Sequence, residues 1–230
     1  MFRFKQFQIK QDQTAMKVGT DGVLIGAWTD TPKNGKALDI GTGTGLISIM
    51  LAQRSDLDID AIEIDESAFE QAKDNISNSP WPQKINLHNI SLQDYTVEHK
   101  YKLIVSNPPF FTNSHKTPSE NRNLARHNDS LSFDELLQKT SNMLHNEGHA
   151  SFIIPFQEEQ NFIETASKHR LYPNRITRVK GNTDSPIKRS MIEFSFNHDR
   201  VNYDELIIEI SRHNYTLEYI ELTKEFYLKM

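Results

Sequence analysis

From Ala37 onward the chain alternates short apolar runs with stretches of helical periodicity, and that alternation leaves few folds open. Ala37–Ile40 reads as a buried strand ending in glycines, and Leu46–Arg54 continues as a helix. Ile59–Ile64 is a second strand, followed by a helix from Glu66 to about Ile76. Ile85–Asn89 and Tyr101–Ser106 are the third and fourth strands. Phe133–Leu144 is amphipathic, opened by Ser132 with Glu135 three residues later, the pattern of a capping box. Ala150–Pro155 is a fifth strand, and Glu158–His169 a further helix. Strands alternating with helices imply right-handed crossovers and a mostly parallel α/β sheet covered on both faces.

The pattern changes after Leu171. Arg175–Lys180 and Ser190–Phe196 read as strands without a helix between them, hence an antiparallel hairpin expected at one edge. Leu217–Tyr227 is expected to be helical, with an aromatic face of Tyr219, Phe226 and Tyr227. The first 16 residues alternate and suggest a small separate β element. The expected organisation is one domain: 1–30 as an N-terminal segment, 31–197 as the core and 198–230 as a C-terminal helical tail.

Composition narrows the chemistry. The 230 residues include no cysteine, which excludes a disulfide framework, a thiolate zinc site and a cysteine nucleophile together. No run approaches 18 apolar residues and the start lacks a signal peptide's apolar region, so no membrane partner and a cytoplasmic location are expected. The net charge of −5 hides an asymmetry. From Lys168 to Arg189, seven cations stand against Asp184 alone, giving +6 there and −11 elsewhere. Such segregation can make a phosphate-attracting surface on an acidic protein, although a solvated face would look the same.

In an open sheet of this kind, ligands bind at the carboxyl ends of the strands. Each of the first four strands is followed by a candidate site. After the first comes Asp39-Ile40-Gly41-Thr42-Gly43-Thr44-Gly45-Leu46, whose glycines let the backbone approach a ligand closely. It is not the dinucleotide fingerprint, which would need glycine in place of Leu46. After the second stands Glu63, 22 residues beyond Gly41, where nucleoside-binding sheets hold a ribose diol. Asp65 fits a helix N-cap. After the third comes Asp94, a candidate acceptor for an adenine amine or an ordinary loop aspartate.

The fourth strand ends in Asn107-Pro108-Pro109-Phe110. An exocyclic amine on a nucleobase is a poor nucleophile because its lone pair is delocalised into the ring. A site that accepts both of its N–H hydrogens pulls the nitrogen toward sp3. The Asn107 side-chain carbonyl and the Pro108 backbone carbonyl can supply the two acceptors, and Phe110 a face on which an extruded base stacks. No metal is called for.

These four motifs together resemble those of class I, Rossmann-like methyltransferases, whose acids contact the methionine amine, ribose and adenine of S-adenosylmethionine. Asn107-Pro108-Pro109-Phe110 is similar to the motif of amino methyltransferases acting on adenine, guanine or a glutamine amide. The double phenylalanine at 110–111, Lys17-Val18-Gly19-Thr20-Asp21-Gly22-Val23-Leu24 and Phe226-Tyr227-Leu228 resemble, more narrowly, the bacterial valine-tRNA adenine-N6 methyltransferase family. That family modifies the adenine 3′ to the anticodon, and the similarity runs from about Phe7 to Leu228.

The resemblance implies a seven-stranded sheet and S-adenosylmethionine as cofactor. Asp39, Gly41, Gly43 and Gly45 would hold its methionine end, Glu63 its ribose and Asp94 its adenine. Lys17, Thr20 and Asp21 would lie in the segment over the cofactor, unless Thr20-Asp21 is simply a helix cap. Asn107, Pro108 and Phe110 would be catalytic, and tRNA would meet Lys188, Arg189, Arg122 and Arg126. A monomer is expected. Guanine-N2 methylation of ribosomal RNA, protein-glutamine methylation and a non-catalytic RNA-binding module are the competing expectations.

Overall fold

The computed structural model describes residues 1–14, 17–108 and 131–229. Nine strands form one sheet: β3 (Lys36–Ile40), β4 (Asp58–Glu63), β5 (Ile85–Asn89), β6 (Tyr101–Ser106), β7 (Leu144–Pro155), β8 (Tyr172–Asn182), β9 (Ile187–Ser195), β10 (Asn202–Ser211) and β11 (Asn214–Tyr215). Their spatial order is β11-β10-β8-β9-β7-β6-β3-β4-β5. Strands β5, β4, β3, β6 and β7 are mutually parallel. Only β9 and β11 run antiparallel to their neighbours. The order reverses between β3 and β6, so the carboxyl ends of those two strands flank the crevice where such sheets bind ligands.

The seven expected strands are β3 to β9, and the mostly parallel α/β architecture is as expected. Two expectations require correction. The β8–β9 hairpin is internal, because β10 pairs in parallel with β8 and β11 caps β10. Residues 198–230 are therefore not a helical tail: they supply two strands before a helix of seven residues, Leu217–Thr223. The cause lies in which side of β10 is covered. Leu206 is buried in the core and Ile208 packs against it at period two, while Glu205 on the other side stands opposite Arg178 of β8. Lys180 pairs with Glu205 at 2.9 Å. Phe2–Arg3 (β1) and Gln8–Ile9 (β2) form the expected separate β element, tied to the C-terminus by Lys5 N–H donating to Phe226 O at 2.8 Å.

Helices cover both faces. Thr20–Trp28 (α1), Leu46–Arg54 (α2) and Leu217–Thr223 (α6) enclose one core with Ala37, Ile59, Leu103 and Val105. Glu66–Ser77 (α3) contributes Ala72 and Ile76 to the same core. Phe133–Met143 (α4) and Glu159–Lys168 (α5) enclose the other with Leu38, Ile104, Phe152 and Ile192. Local chemistry starts two of these helices where expected. The Asp65 side chain accepts from Ala68 N–H at 2.8 Å. Ser132 and Glu135 cap each other reciprocally, which satisfies donors a helix start leaves open.

Phe162 centres the second core, fully buried, its ring edge-on to Phe133, Phe152 and Phe194. Phe162→Ala should cost about 3–5 kcal/mol, measured as a fall in the urea midpoint, because three packed rings cannot collapse into the space. A loss below about 1 kcal/mol would contradict this packing.

Candidate functional site

The glycine turn after β3 is held open by its neighbours. Gly41, Gly43 and Gly45 have φ of 70, 58 and 80°, the left-handed region that side chains disfavour. Gly41 N–H and Thr42 N–H both donate to Ile62 O at 3.0 Å, so the end of β4 anchors the turn. A Cβ at Gly41 or Gly43 would meet nothing within 4 Å and would project into open space, whereas one at Gly45 would touch Ile76 and Ala72. Two glycines therefore keep a space clear, and the third lets α3 pack close.

That space is a cavity of about 290 Å³. Its walls are Lys17, Val18, Gly19, Thr20, Asp21 and Gly22 on one side and Gly41, Thr42, Gly43, Thr44, Leu46 and Ile47 on the other, with Asn107 completing them. The structure thus brings together Lys17, Thr20, Asp21, Gly41, Gly43 and Asn107. Gly19, not Thr20, is the N-cap of α1, and no side chain caps that helix. Asn107 is half-buried directly after β6, whose end is tied to β3 by Ser106 Oγ donating to Ile40 O at 2.8 Å. Pro108 is buried, while Phe110, Arg122 and Arg126 lie outside the described residues.

Asp39 stands behind the turn, fully buried. Its Oδ2 accepts from Thr42 Oγ at 2.7 Å, Ser48 Oγ at 2.7 Å and Ser48 N–H at 3.1 Å. Its Oδ1 is buried without a partner. Burial pushes its pKa up to about 6, only partly offset by the hydrogen bonds from Ser48 and Thr42. Glu63 also lies behind the wall, accepting from Gly43 N–H and Asp65 N–H, each at 2.9 Å. Asp94 is exposed, bonded to Ser91 Oγ at 2.7 Å, and is not part of the lining. Thr42 and Ser48 escaped the sequence reading. Ser48 had a signal, as a hydroxyl in the otherwise apolar run Leu46–Leu51.

The basic stretch is largely neutralised. Arg175 lies 3.8 Å over the Trp28 ring and pairs with Glu193 at 3.1 Å. Arg178 grips Glu159 through two nitrogens, Nη2 at 2.7 Å and Nε at 3.2 Å. Arg189 Nε donates to Asp21 Oδ2 at 2.7 Å, so this cation braces a cavity wall. Lys168, Arg170 and Lys188 are exposed. The other four cations of the stretch have carboxylate partners from elsewhere in the chain.

An open glycine cradle, a buried carboxylate oxygen without a partner and an adjoining polar wall fit a ligand with a cationic amine and a nucleoside. Among the described residues, no cluster of His, Cys, Asp or Glu could hold a metal ion, and no helix is long and apolar enough to cross a membrane.

Residues 17–160 match the family described as the methyltransferase small domain. A tRNA1(Val) (adenine(37)-N6)-methyltransferase of Christiangramia forsetii is 51% identical over all of this chain and 98% of its own length. One of Flavobacterium psychrophilum is 53% identical over the whole of both chains. Among solved structures, a predicted O-methyltransferase from Agrobacterium tumefaciens superposes with a TM-score of 0.70 at 16% identity, covering 90% of this chain and 96% of that one. A glycopeptide N-methyltransferase bound to S-adenosylmethionine superposes with a TM-score of 0.58 at 8% identity, over 77% of this chain and 95% of that one. These structural likenesses establish the fold.

The raised pKa of Asp39 makes a signed prediction. The folded state binds this proton more tightly than the unfolded chain, so the group favours folding below pH ~4 and that contribution is lost as pH rises through about 6. Asp39→Asn has no charge to bury. The stability difference between Asp39→Asn and wild type should therefore shift in the variant's favour by roughly 2–3 kcal/mol from pH ~4 to pH ~7. Urea unfolding at the two pH values measures it, and a pH-independent difference would contradict the burial of a charge.

Proposed function

Because the chain belongs to the methyltransferase small-domain family, we propose that it transfers the methyl group of S-adenosylmethionine to N6 of adenine 37 in valine tRNA. The observation that carries this reading is that Asn107 lines the same cavity as Gly41 and Gly43. Cofactor and acceptor amine then share one chamber, as transfer between them requires.

S-adenosylmethionine, when bound, supplies an electrophilic methyl group on a positively charged sulfur. The residues of this chain supply the rest. Gly41 and Gly43 leave room for it, and the unpartnered Oδ1 of Asp39 is the acceptor best suited to its amine. Glu63 positions the turn through Gly43 N–H and keeps carboxylate lone pairs for the ribose. Thr20 and Asp21 close the opposite wall, with Asp21 held by Arg189. The family assigns adenine of the cofactor to Asp94, which its place after β5 permits.

On the acceptor side, the Asn107 carbonyl takes one N–H of the target amine and the Pro108 carbonyl the other. Both contacts strengthen as the nitrogen pyramidalises, so they act on the transition state more than on binding. Phe110 follows in the chain and offers its ring to the extruded base. No strong base is required, because the amine loses its proton only after it has become cationic.

The test is methyl transfer to tRNA, ribosomal RNA and a glutamine-containing peptide, with product nucleosides identified. N6-methyladenosine at position 37 of valine tRNA is the expected product. N2-methylguanosine, or label on the peptide, would overturn the substrate assignment. Asn107→Ala should lower kcat about 10²–10³-fold, by analogy with removing one preorganised hydrogen-bonding group, and leave cofactor affinity near wild type. Full kcat in that variant would contradict the mechanism whatever the substrate.

A further inference from the structure

Two polar side chains on α3 are buried where packing alone would favour apolar ones. Gln71 and Asn75 are each 2% exposed, beside Ala72 and Ile76 in the same helix. One helical turn apart, they share a face. Buried amides are tolerated when their hydrogen bonds are made, and these are made to backbone. Asn75 Oδ1 accepts from Lys10 N–H at 2.8 Å, and Nδ2 donates to Lys10 O at 2.9 Å. That pairing reproduces one rung of a β-ladder with a side chain. The same Nδ2 donates to Thr44 O at 2.9 Å, and Thr44 lines the cavity. Gln71 Oε1 accepts from Asp12 N–H and Gln13 N–H, both at 3.1 Å.

The N-terminal segment is fastened a second time further along. Gln11 Oε1 accepts from Val18 N–H at 2.8 Å, and Val18 belongs to the run of residues that forms one wall of the cavity. The links therefore run in series from α3 through residues 10–13 and Gln11 to Val18, with a branch at Asn75 to the glycine turn. Lys10 also pairs with Asp74 at 2.8 Å, but both side chains are well exposed and such a pair contributes little.

We propose that Gln71 and Asn75 are positioning residues for the cofactor: by reading the backbone of residues 10–13 they hold the Lys17–Asp21 wall against the glycine turn. Neither side chain lines the cavity, so their effect passes through the segment they hold. The proposal rests on the cavity being the S-adenosylmethionine site.

The experiment compares wild type with Gln71→Met, which keeps the volume and loses the acceptor, and Gln71→Glu, which keeps an acceptor oxygen. Gln11→Ala breaks the second fastening without touching α3. Calorimetry gives the dissociation constant for S-adenosylmethionine, hydrogen exchange follows the Asp12, Gln13 and Val18 amides, and kinetics separate KM from kcat. Gln11→Ala should weaken binding up to about fivefold and Gln71→Met up to about thirtyfold, since one and two hydrogen bonds worth about 1 kcal/mol each are lost. KM for the cofactor should rise in step, with kcat at saturation within about twofold of wild type. Exchange at Asp12 and Gln13 should accelerate in Gln71→Met, and Gln71→Glu should restore affinity to within about twofold.

Accelerated exchange with an unchanged dissociation constant would overturn the proposal, leaving the amides a purely structural role. So would a Gln71→Glu enzyme as weak as Gln71→Met. Failure of wild type itself to bind S-adenosylmethionine would instead remove the site reading on which the proposal stands.

Discussion

Oδ2 of Asp39 accepts three hydrogen bonds from Thr42 and Ser48, and the shape of the ligand cavity depends on them. They bind the end of β3 to the turn and to the first turn of α2. Glu63 and Ile62 do the same from β4. The backbone can follow this path only because three positions in five residues tolerate left-handed φ. A charge buried to this extent destabilises the fold, and hydrogen bonds from Ser48 and Thr42 offset only part of that cost.

Charge pairing across the sequence explains the second half of the sheet. Four of the seven cations between Lys168 and Arg189 find their partners in Asp21, Glu159, Glu193 and Glu205. Arg178 and Glu159 join β8 to α5, Lys180 and Glu205 join β8 to β10, and Arg189 joins β9 to α1. A partly buried bidentate pair such as Arg178–Glu159 fixes geometry more than it adds stability. Arg189 links the β8–β9 hairpin to the cavity wall.

Most of the core was legible because its signals are local. Runs such as Ala37–Ile40 and Tyr101–Ser106 are buried on both faces, and Ser132 with Glu135 marks a helix start with its own side chains. The glycine spacing and Asn107-Pro108 placed two halves of one site before any geometry was known, since strand ends in a parallel sheet converge. What escaped depends on distant partners. Helix α1 is buried from Gly22 to Trp28, so it has no polar face to give a period. Strand β10, expected as part of a helical tail, is fixed by its parallel pairing with β8. That Arg189 braces the cavity wall could not be read, because Asp21 is 168 residues away in the chain. The roles of Gln71 and Asn75 are invisible for the same reason: they bind main-chain atoms, which carry no sequence signature.

The central claim is that the left-handed glycine turn shapes the cofactor site. Titration of S-adenosylmethionine into Gly43→Ala tests it most directly. Alanine at φ 58° costs about 1–2 kcal/mol of backbone strain, and its methyl group would enter the cavity while touching no protein atom within 4 Å. The account predicts a folded protein, its unfolding free energy lowered by no more than about that amount, that binds the cofactor at least about tenfold more weakly than wild type. A Gly43→Ala protein with wild-type affinity would contradict it.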